Sequence, residues 1–369
     1  MRDGGENPRR PHGRAGDLGK VLAWAYRRKV YLLLAAIFAV MAQIAPRFLT
    51  AGNFGNILKA AGINLPAAAG FNIVMICGQL DLSIGSAMTL GGMMTVGLEP
   101  HIGWAGGLAA ALACGLALGL VNGLLVAKAR INSFIVTLGT MIIVQNAVFI
   151  YCGGGTIPAK SFALSDWLQS AEAVAPPAIL MQYKVVALAA VVLRWTGVTP
   201  AILIQFTVVA ALAAALRWTP VGRGFYLMGG NAQTAWFSGL RTDRYVIGAF
   251  AASGVLSTFG GAMVAMSEAG ANPTLGDNTL MAVVAAVIIG GTSMQGGKGS
   301  LLDTAAALVA LAALINGLNC RGEGYEVQLM ASGLVLALVI LYDAFAAYLR
   351  EKKRGQRPDL LRELHRGRV

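Results

Sequence analysis

"CGQLDLSIGS", Cys77–Ser86, interrupts a long apolar region of the chain. It brings in two glycines, two serines and one carboxylate, and Asp81 is the only acid between Asp17 and Glu99. Apolar residues run on both sides. The stretch therefore reads as a break between two buried helices rather than as part of one. What the break means depends on the solvent around those helices, and composition answers that.

The chain has 369 residues, 56% hydrophobic and 12% charged, with a mean hydropathy of +0.65. A soluble domain carries about twice that share of charge. So much apolar surface needs a bilayer. The net charge is +12, yet eight of the 29 Lys and Arg precede Val30 and eight follow Leu349. The nearly neutral middle has no basic and aromatic stripe, so the charge marks cytosolic anchors and not a nucleic-acid partner. Cys77, Cys114, Cys152 and Cys320 are too scattered to form a metal-ligand pair, and so are the three histidines. No metal site is expected. The run after Arg27-Arg28-Lys29 lacks a small-x-small cleavage signal and reads as an uncleaved first span.

Apolar runs near the length of a crossing fall at about 30–45, 57–77, 83–97, 103–126, 133–151, 200–216, 245–266, 279–291, 302–319 and 327–349. The expectation is an all-α polytopic membrane protein with about ten spans and both ends inside. It has a basic segment over 1–29, a membrane-spanning domain over 30–349 and a basic tail over 350–369. With that sidedness, Lys128, Arg130, Arg217, Arg223, Arg241, Arg244 and Lys298 fall inside, while Glu99, Asp166, Glu268 and Asp277 fall outside. Asn122-Gly123-Leu124 and Asn316-Gly317-Leu318 each close a span, five spans apart. An inverted repeat of spans 2–5 and 7–10 would produce that spacing. Residues 177–198 and 200–221 agree at 14 of 22 positions, which indicates a tandem duplication of one helix. The first copy carries Lys184 where the second has Thr207. A lysine in mid-helix is expensive in lipid, so the first copy is expected to lie near the outer face and not to cross.

Three loops carry candidate chemistry. In the first, Asp81, Ser83 and Ser86 can cap the helix that follows, which is the simpler reading, or line a hydrophilic path. The second, "VIIGGTSMQGGKGS" (287–300), looks like a phosphate loop but fails as one. Thr292 stands where the first glycine belongs, Gly299 follows Lys298, and no strand precedes it. It is expected to be a turn. The third is 226–240, where Asn231 can start and Gly239 end a helix of about two turns. That helix would show Trp236 and Phe237 either to a partner or to lipid headgroups. Within the spans, Asn122, Thr137, Thr140 and Asn316 suit a neutral, hydroxyl-rich substrate, and they equally suit bonds between helices.

Together these segments resemble the permease subunit of bacterial ABC importers of the ribose/xylose type. The likeness rests on "GQLDLSIGS" (78–86), "SFIVTLGTM" (133–141), "GRGFYLMGGN" (222–231) and "AAVIIGGTSMQGGKGS" (285–300), in that order. The resemblance implies a bacterial inner-membrane transport subunit that is not itself an enzyme and holds no cofactor, ATP being bound by partner subunits. It implies a homodimer, a periplasmic sugar-binding protein outside and cytosolic ATPase subunits inside. Gly229, Gly230, Asn231, Ala235, Ser238 and Gly239 match the family's coupling segment, with Trp236 and Phe237 where the family has Arg-Leu. Asp81, Ser83 and Ser86 match its pathway-adjacent motif. The rival reading is a stand-alone secondary transporter or channel for a small polar solute. An ion-coupled carrier would be expected to hold more charge within its spans.

Overall fold

The computed structural model describes residues 28–170, 197–277 and 279–353, with 343–353 as backbone alone. Nearly all of it is helix. In chain order come α1 (Lys29–Ile44), α2 (Ala51–Ile76), α3 (Ile84–Ala127), α4 (Ser133–Cys152), the short α5 (Ala163–Gln169) and α6 (Pro200–Trp218). Then follow α7 (Pro220–Gly230), α8 (Ala232–Phe237), α9 (Thr242–Glu268), α10 (Thr279–Ile289), α11 (Leu301–Arg321) and α12 (Tyr325–Lys353). Among the described residues, seven helices (α2, α3, α4, α6, α9, α11 and α12) are long and apolar enough to cross a bilayer, and α1 and α10 are shorter apolar helices. The protein is a polytopic, all-α membrane protein. The first copy of the duplication lies outside the described residues up to 196, and the second copy forms α6.

α3 differs from the two separate spans expected at 83–97 and 103–126. Its 44 residues would reach about 66 Å if straight, roughly twice the hydrocarbon thickness. Instead the chain folds back at Gly103, whose φ is 70°. Asn122 then hydrogen-bonds Ser83, 39 residues earlier. Pro100 lies just before the turn. The joint is tighter than the loop expected around Glu99, and glycine supplies the left-handed backbone it needs.

Both arms of α3 pack on α9. The contact is close because small residues meet. A Cβ on Gly254 would overlap the carbonyl of Gly115, and one on Gly119 would overlap the carbonyl of Phe250. Such approach of backbones is how helices associate where lipid is as apolar as leucine. α2 packs against α9 as well, through Gly70 and the Ser253 backbone.

The loops gather at the two ends of this bundle. At one end Lys128 and Arg130 pair with Asp243, at 2.8 and 3.5 Å. The Lys29 stem crosses Gly291, and the Gly297 N–H donates to the carbonyl of Ile76 at 2.8 Å. At the other end Ile157–Pro158 pairs antiparallel with Gly270–Ala271. There the Lys160 N–H donates to Glu99 at 2.9 Å and the Ser165 hydroxyl to the Ser267 carbonyl at 2.6 Å. Asp243 opens α9 and Ser267 nearly closes it, so the cation-rich loops and the acidic loops lie at opposite ends.

The α3–α9 contact makes a sharp prediction. Gly254→Val should destabilise the protein by about 1–3 kcal/mol through overpacking. Gly139→Ala faces open space inside α4 and should not destabilise, gaining up to about 1 kcal/mol of helix propensity. Fluorescence-detected gel filtration after a heat challenge in detergent reads both. Equal melting of the two variants would remove the interface from this role.

Candidate functional site

The break at Cys77–Ser83 is built from the residues that the sequence singled out. Asp81 is 2% exposed. Its Oδ1 accepts from the Ser83 N–H at 3.0 Å and from the Ser83 hydroxyl at 2.6 Å. Its Oδ2 accepts from the Ser253 hydroxyl at 2.7 Å. Asn122 Nδ2 donates to Ser83 Oγ at 3.1 Å. The Leu80 and Leu82 N–H groups, which no helix takes up, donate to Ser133 Oγ at 3.2 Å and Thr137 Oγ1 at 3.0 Å. Ser86 returns its hydroxyl to the Ser83 carbonyl at 2.9 Å. One buried carboxylate thus ties the start of α3 to the middle of α9, while α4 satisfies the backbone between them. No side chain caps the N–H groups of α3; Asp81 instead closes a turn on Ser83 and reaches across to Ser253 of α9.

Thr140 and Asn316 stand apart from this network. Thr140 donates to the Thr137 carbonyl of its own helix at 3.2 Å. Asn316 accepts from Asn53 of α2 at 2.7 Å.

Sequence reasoning missed Ser253, Ser133 and a second break. After α9 the chain turns inward, and Gly276 meets Gly85 so closely that a Cβ on either would overlap the other's carbonyl region. The Gly276 N–H donates to Thr89 Oγ1 at 3.0 Å, and the short α10 follows. The available signal was Pro273 and Gly276 just before an apolar run of only 11 residues. The two breaks therefore touch inside the bundle, and the second leads into the short α10.

The loop 226–240 folds as expected. The Thr234 N–H donates to Asn231 Oδ1 at 2.9 Å, capping α8. Gly239 follows it with φ 83°. Ser238 returns its hydroxyl to the Thr234 carbonyl at 3.0 Å. Ala235 is buried, while Trp236 and Phe237 are 62% and 74% exposed with their rings edge to face at 5.1 Å. Beside them Lys128, Arg130, Arg241 and Arg244 line a recess with Asp243. This segment, a handle ending in α8, is joined to the first break through backbone. Gly229 leaves no room for a Cβ against the Ile76 carbonyl and the Gly297 N–H. Gly297 in turn sits against Gly230, and Gly296 against Gly78. Three glycine-rich stretches far apart in sequence converge there.

If Asp81 holds the break, Asp81→Ala leaves two serine hydroxyls and one N–H without an acceptor, at about 1–3 kcal/mol for each buried group. Ser253→Ala should cost less, and the double variant should show a coupling of about 0.5–3 kcal/mol. Melting in detergent measures this. A loss for Asp81→Ala no larger than for Thr140→Ala would contradict the assignment.

Comparison with known proteins agrees with this architecture. Residues 53–342 match the family described as the branched-chain amino acid transport system / permease component. The chain is similar to the ribose import permease protein RbsC of Escherichia coli K12, 29% identical over 87% of this chain and 94% of that one. The ribose import permease protein RbsC of Bacillus subtilis is 30% identical over 85% and 91%. The xylose transport system permease protein XylH of E. coli K12 is 27% identical over 86% and 92%. No solved structure matches. With the matched region running from the start of α2 well into α12, the chain belongs to the branched-chain amino acid transport system / permease component family.

Proposed function

We propose that this chain is the membrane-spanning permease subunit of an ATP-driven importer of a monosaccharide or polyol. The relatives named for ribose and xylose support the substrate class. The observation that carries the coupling is α8: a capped helix presents two exposed aromatic rings at the cation-rich end, and α7, which leads into it, packs through Gly229 on the Ile76 carbonyl next to the break that Asp81 holds. Separate cytosolic ATPase subunits dock on Gly229–Gly239 and bind the ATP, so the chain itself carries no cofactor and catalyses nothing. A periplasmic sugar-binding protein delivers substrate to the opposite end. A ligand moves an equilibrium only through differential affinity. The ATPase pair must therefore grip α8 differently in its open and closed states.

The topology proposed is ten crossings, both termini in the cytosol of a bacterial inner membrane. It counts α3 twice, because of the fold at Gly103, and includes the shorter α1 and α10. An inverted repeat is supported by the two breaks, one after α2 and one after α9, which meet at Gly85 and Gly276. The chain works as a homodimer, for which the row of exposed Ile135, Ile142, Ile143 and Ile150 on α4 is the candidate contact. Asp81, Ser83, Ser86, Asn122 and Thr137 act from behind the path wall. Thr140 bonds within α4, and Asn316 braces the far end of α2.

Two experiments test this. Trp236→Glu should abolish co-purification of an ATPase subunit, while Trp167→Glu, exposed at the other end, should retain it. In a cysteine-free background, Lys298→Cys should resist an impermeant maleimide in intact cells and Asp166→Cys should react. Labelling in the reverse pattern would invert the topology and sink the docking site with it.

A further inference from the structure

The sequence places Asp277 with the acidic outer loops, and the structure carries it deeper. Gly276, the residue before it, lies against Gly85, and its N–H donates to Thr89 Oγ1 at 3.0 Å. Between those two positions the Met88 carbonyl meets Gly261 of α9. Gly261 stands seven residues before Glu268, where α9 ends. Asp277 therefore lies about 10 Å inward of that end.

At that depth Asp277 is still exposed. A carboxylate turned to hydrocarbon there is strongly unfavourable, and charged groups within the span line water-filled paths instead. Among the described residues no Lys or Arg pairs with it. Its side chain takes one hydrogen bond from them, from Gln145 Nε2 of α4, and that bond is long at 3.4 Å. None of the roles above uses this pair.

Gln145 shows what the pair can hold. Its Nε2 also donates to the Pro273 carbonyl at 2.6 Å. Both N–H groups of the amide are thus engaged, and Oε1 remains as an acceptor. A carboxylate only accepts. The pair offers acceptor oxygens and no free donor, so a ligand must bring the hydrogens. The hydroxyls of a neutral polyol do so. A phosphate or carboxylate brings none at neutral pH, and Asp277 repels it. A divalent cation needs more oxygen ligands than one carboxylate, and no cluster of three acidic, His or Cys side chains forms among the described residues.

Gln145 also sits to one side of the isoleucine row on α4. Asn146, which stands in that row, is about 100° further round the helix. A second subunit seated on the row leaves Asp277 and Gln145 at its edge.

We propose that Asp277 and Gln145 are the selecting pair of the translocation path. Hydroxyls of a neutral polyhydroxy solute donate to them in passage, and anionic solutes such as sugar phosphates are turned away. The inference rests on the permease function proposed above, and adds where the solute is held and which charge it must lack.

The test uses the full chain in lipid nanodiscs, in a cysteine-free background, with charged methanethiosulfonates as water-borne probes. Asp277→Cys should react with the anionic sulfonatoethyl reagent. Leu334→Cys, exposed in the middle of α12, should not. Phe149→Cys, one turn from Gln145 and 36% exposed, is the reporter with the pair intact. D-ribose, D-xylose or xylitol should slow its labelling, and ribose 5-phosphate should not. Asp277→Asn should weaken that protection about tenfold. It should also lower the reporter's preference for a cationic over an anionic reagent about fivefold. The Asp277 side chain has only the long Gln145 bond among the described residues, so Asp277→Cys remains interpretable should Phe149→Cys misfold. Three results would each overturn the proposal: Asp277→Cys as unreactive as Leu334→Cys, labelling that none of the neutral solutes slows, or equal protection in Asp277→Asn. Co-purification of the ATPase reads the permease function separately, so either can fail without the other.

Discussion

In hydrocarbon there is no water to receive a loose N–H, so every helix break must be satisfied by the protein itself. That constraint governs the stretch Cys77–Ser83. Its backbone leaves α2, fails to continue as helix, and enters α3 only at Ile84. Ser133 and Thr137 accept two of the stranded N–H groups, and Asp81 accepts a third. A carboxylate is an expensive choice inside a membrane protein. It is also the one side chain of that size offering two oxygens that only accept. Ser83 and Ser253 use both, and a neutral amide in its place would offer one acceptor for the three donors.

The same constraint explains why hydroxyls and glycines recur where helices meet around the break. A serine or threonine on a neighbouring helix can receive a backbone N–H without adding charge. Glycine lets that helix come near enough to do so. The contacts of Gly254 with Gly115 and of Gly119 with Phe250 bring α3 against α9, and this proximity puts Ser253 within reach of Asp81. Remove the close approach and the hydrogen bond has no partner to find.

Much of this was legible in the sequence. The ten apolar runs fall on nine of the described helices, two of them on α3, since hydropathy is a strong signal when the solvent is lipid. The break at Asp81 was visible because a lone acid is conspicuous there. The cap at Asn231 and the stop at Gly239 were visible because they are local chemistry. The hidden features are non-local. Ser253 looks like any serine in a span, and its partner lies 172 residues away. Asn122 and Asn316 look equivalent in sequence, yet one donates to Ser83 and the other accepts from Asn53. The meeting of Gly85 with Gly276 needs two chain reversals to be known at once. The joint at Gly103 was read as a loop because Glu99, Pro100 and His101 mark a gap without announcing which residue turns the chain.

The stiffness of the connection between handle and break follows from what is absent between them. Side chains yield by changing rotamer, but backbone does not. At Gly229 the α7 backbone lies against the Ile76 carbonyl and the Gly297 N–H, with no side chain interposed. Gly296 lies against Gly78 in the same way. From Ile76 only five residues of chain lead to Asp81. A displacement of α8 that carries Gly229 with it therefore meets rigid neighbours at once and cannot be absorbed by repacking. The stretch it reaches is the one place where α2 and α3 are joined by non-helical backbone, whose dihedrals can rotate. Close-packed interiors transmit small shifts and do not damp them. A stiff handle set against a jointed segment turns a force at the surface into rearrangement of the break, and a side-chain cushion at Gly229 would spend that force locally.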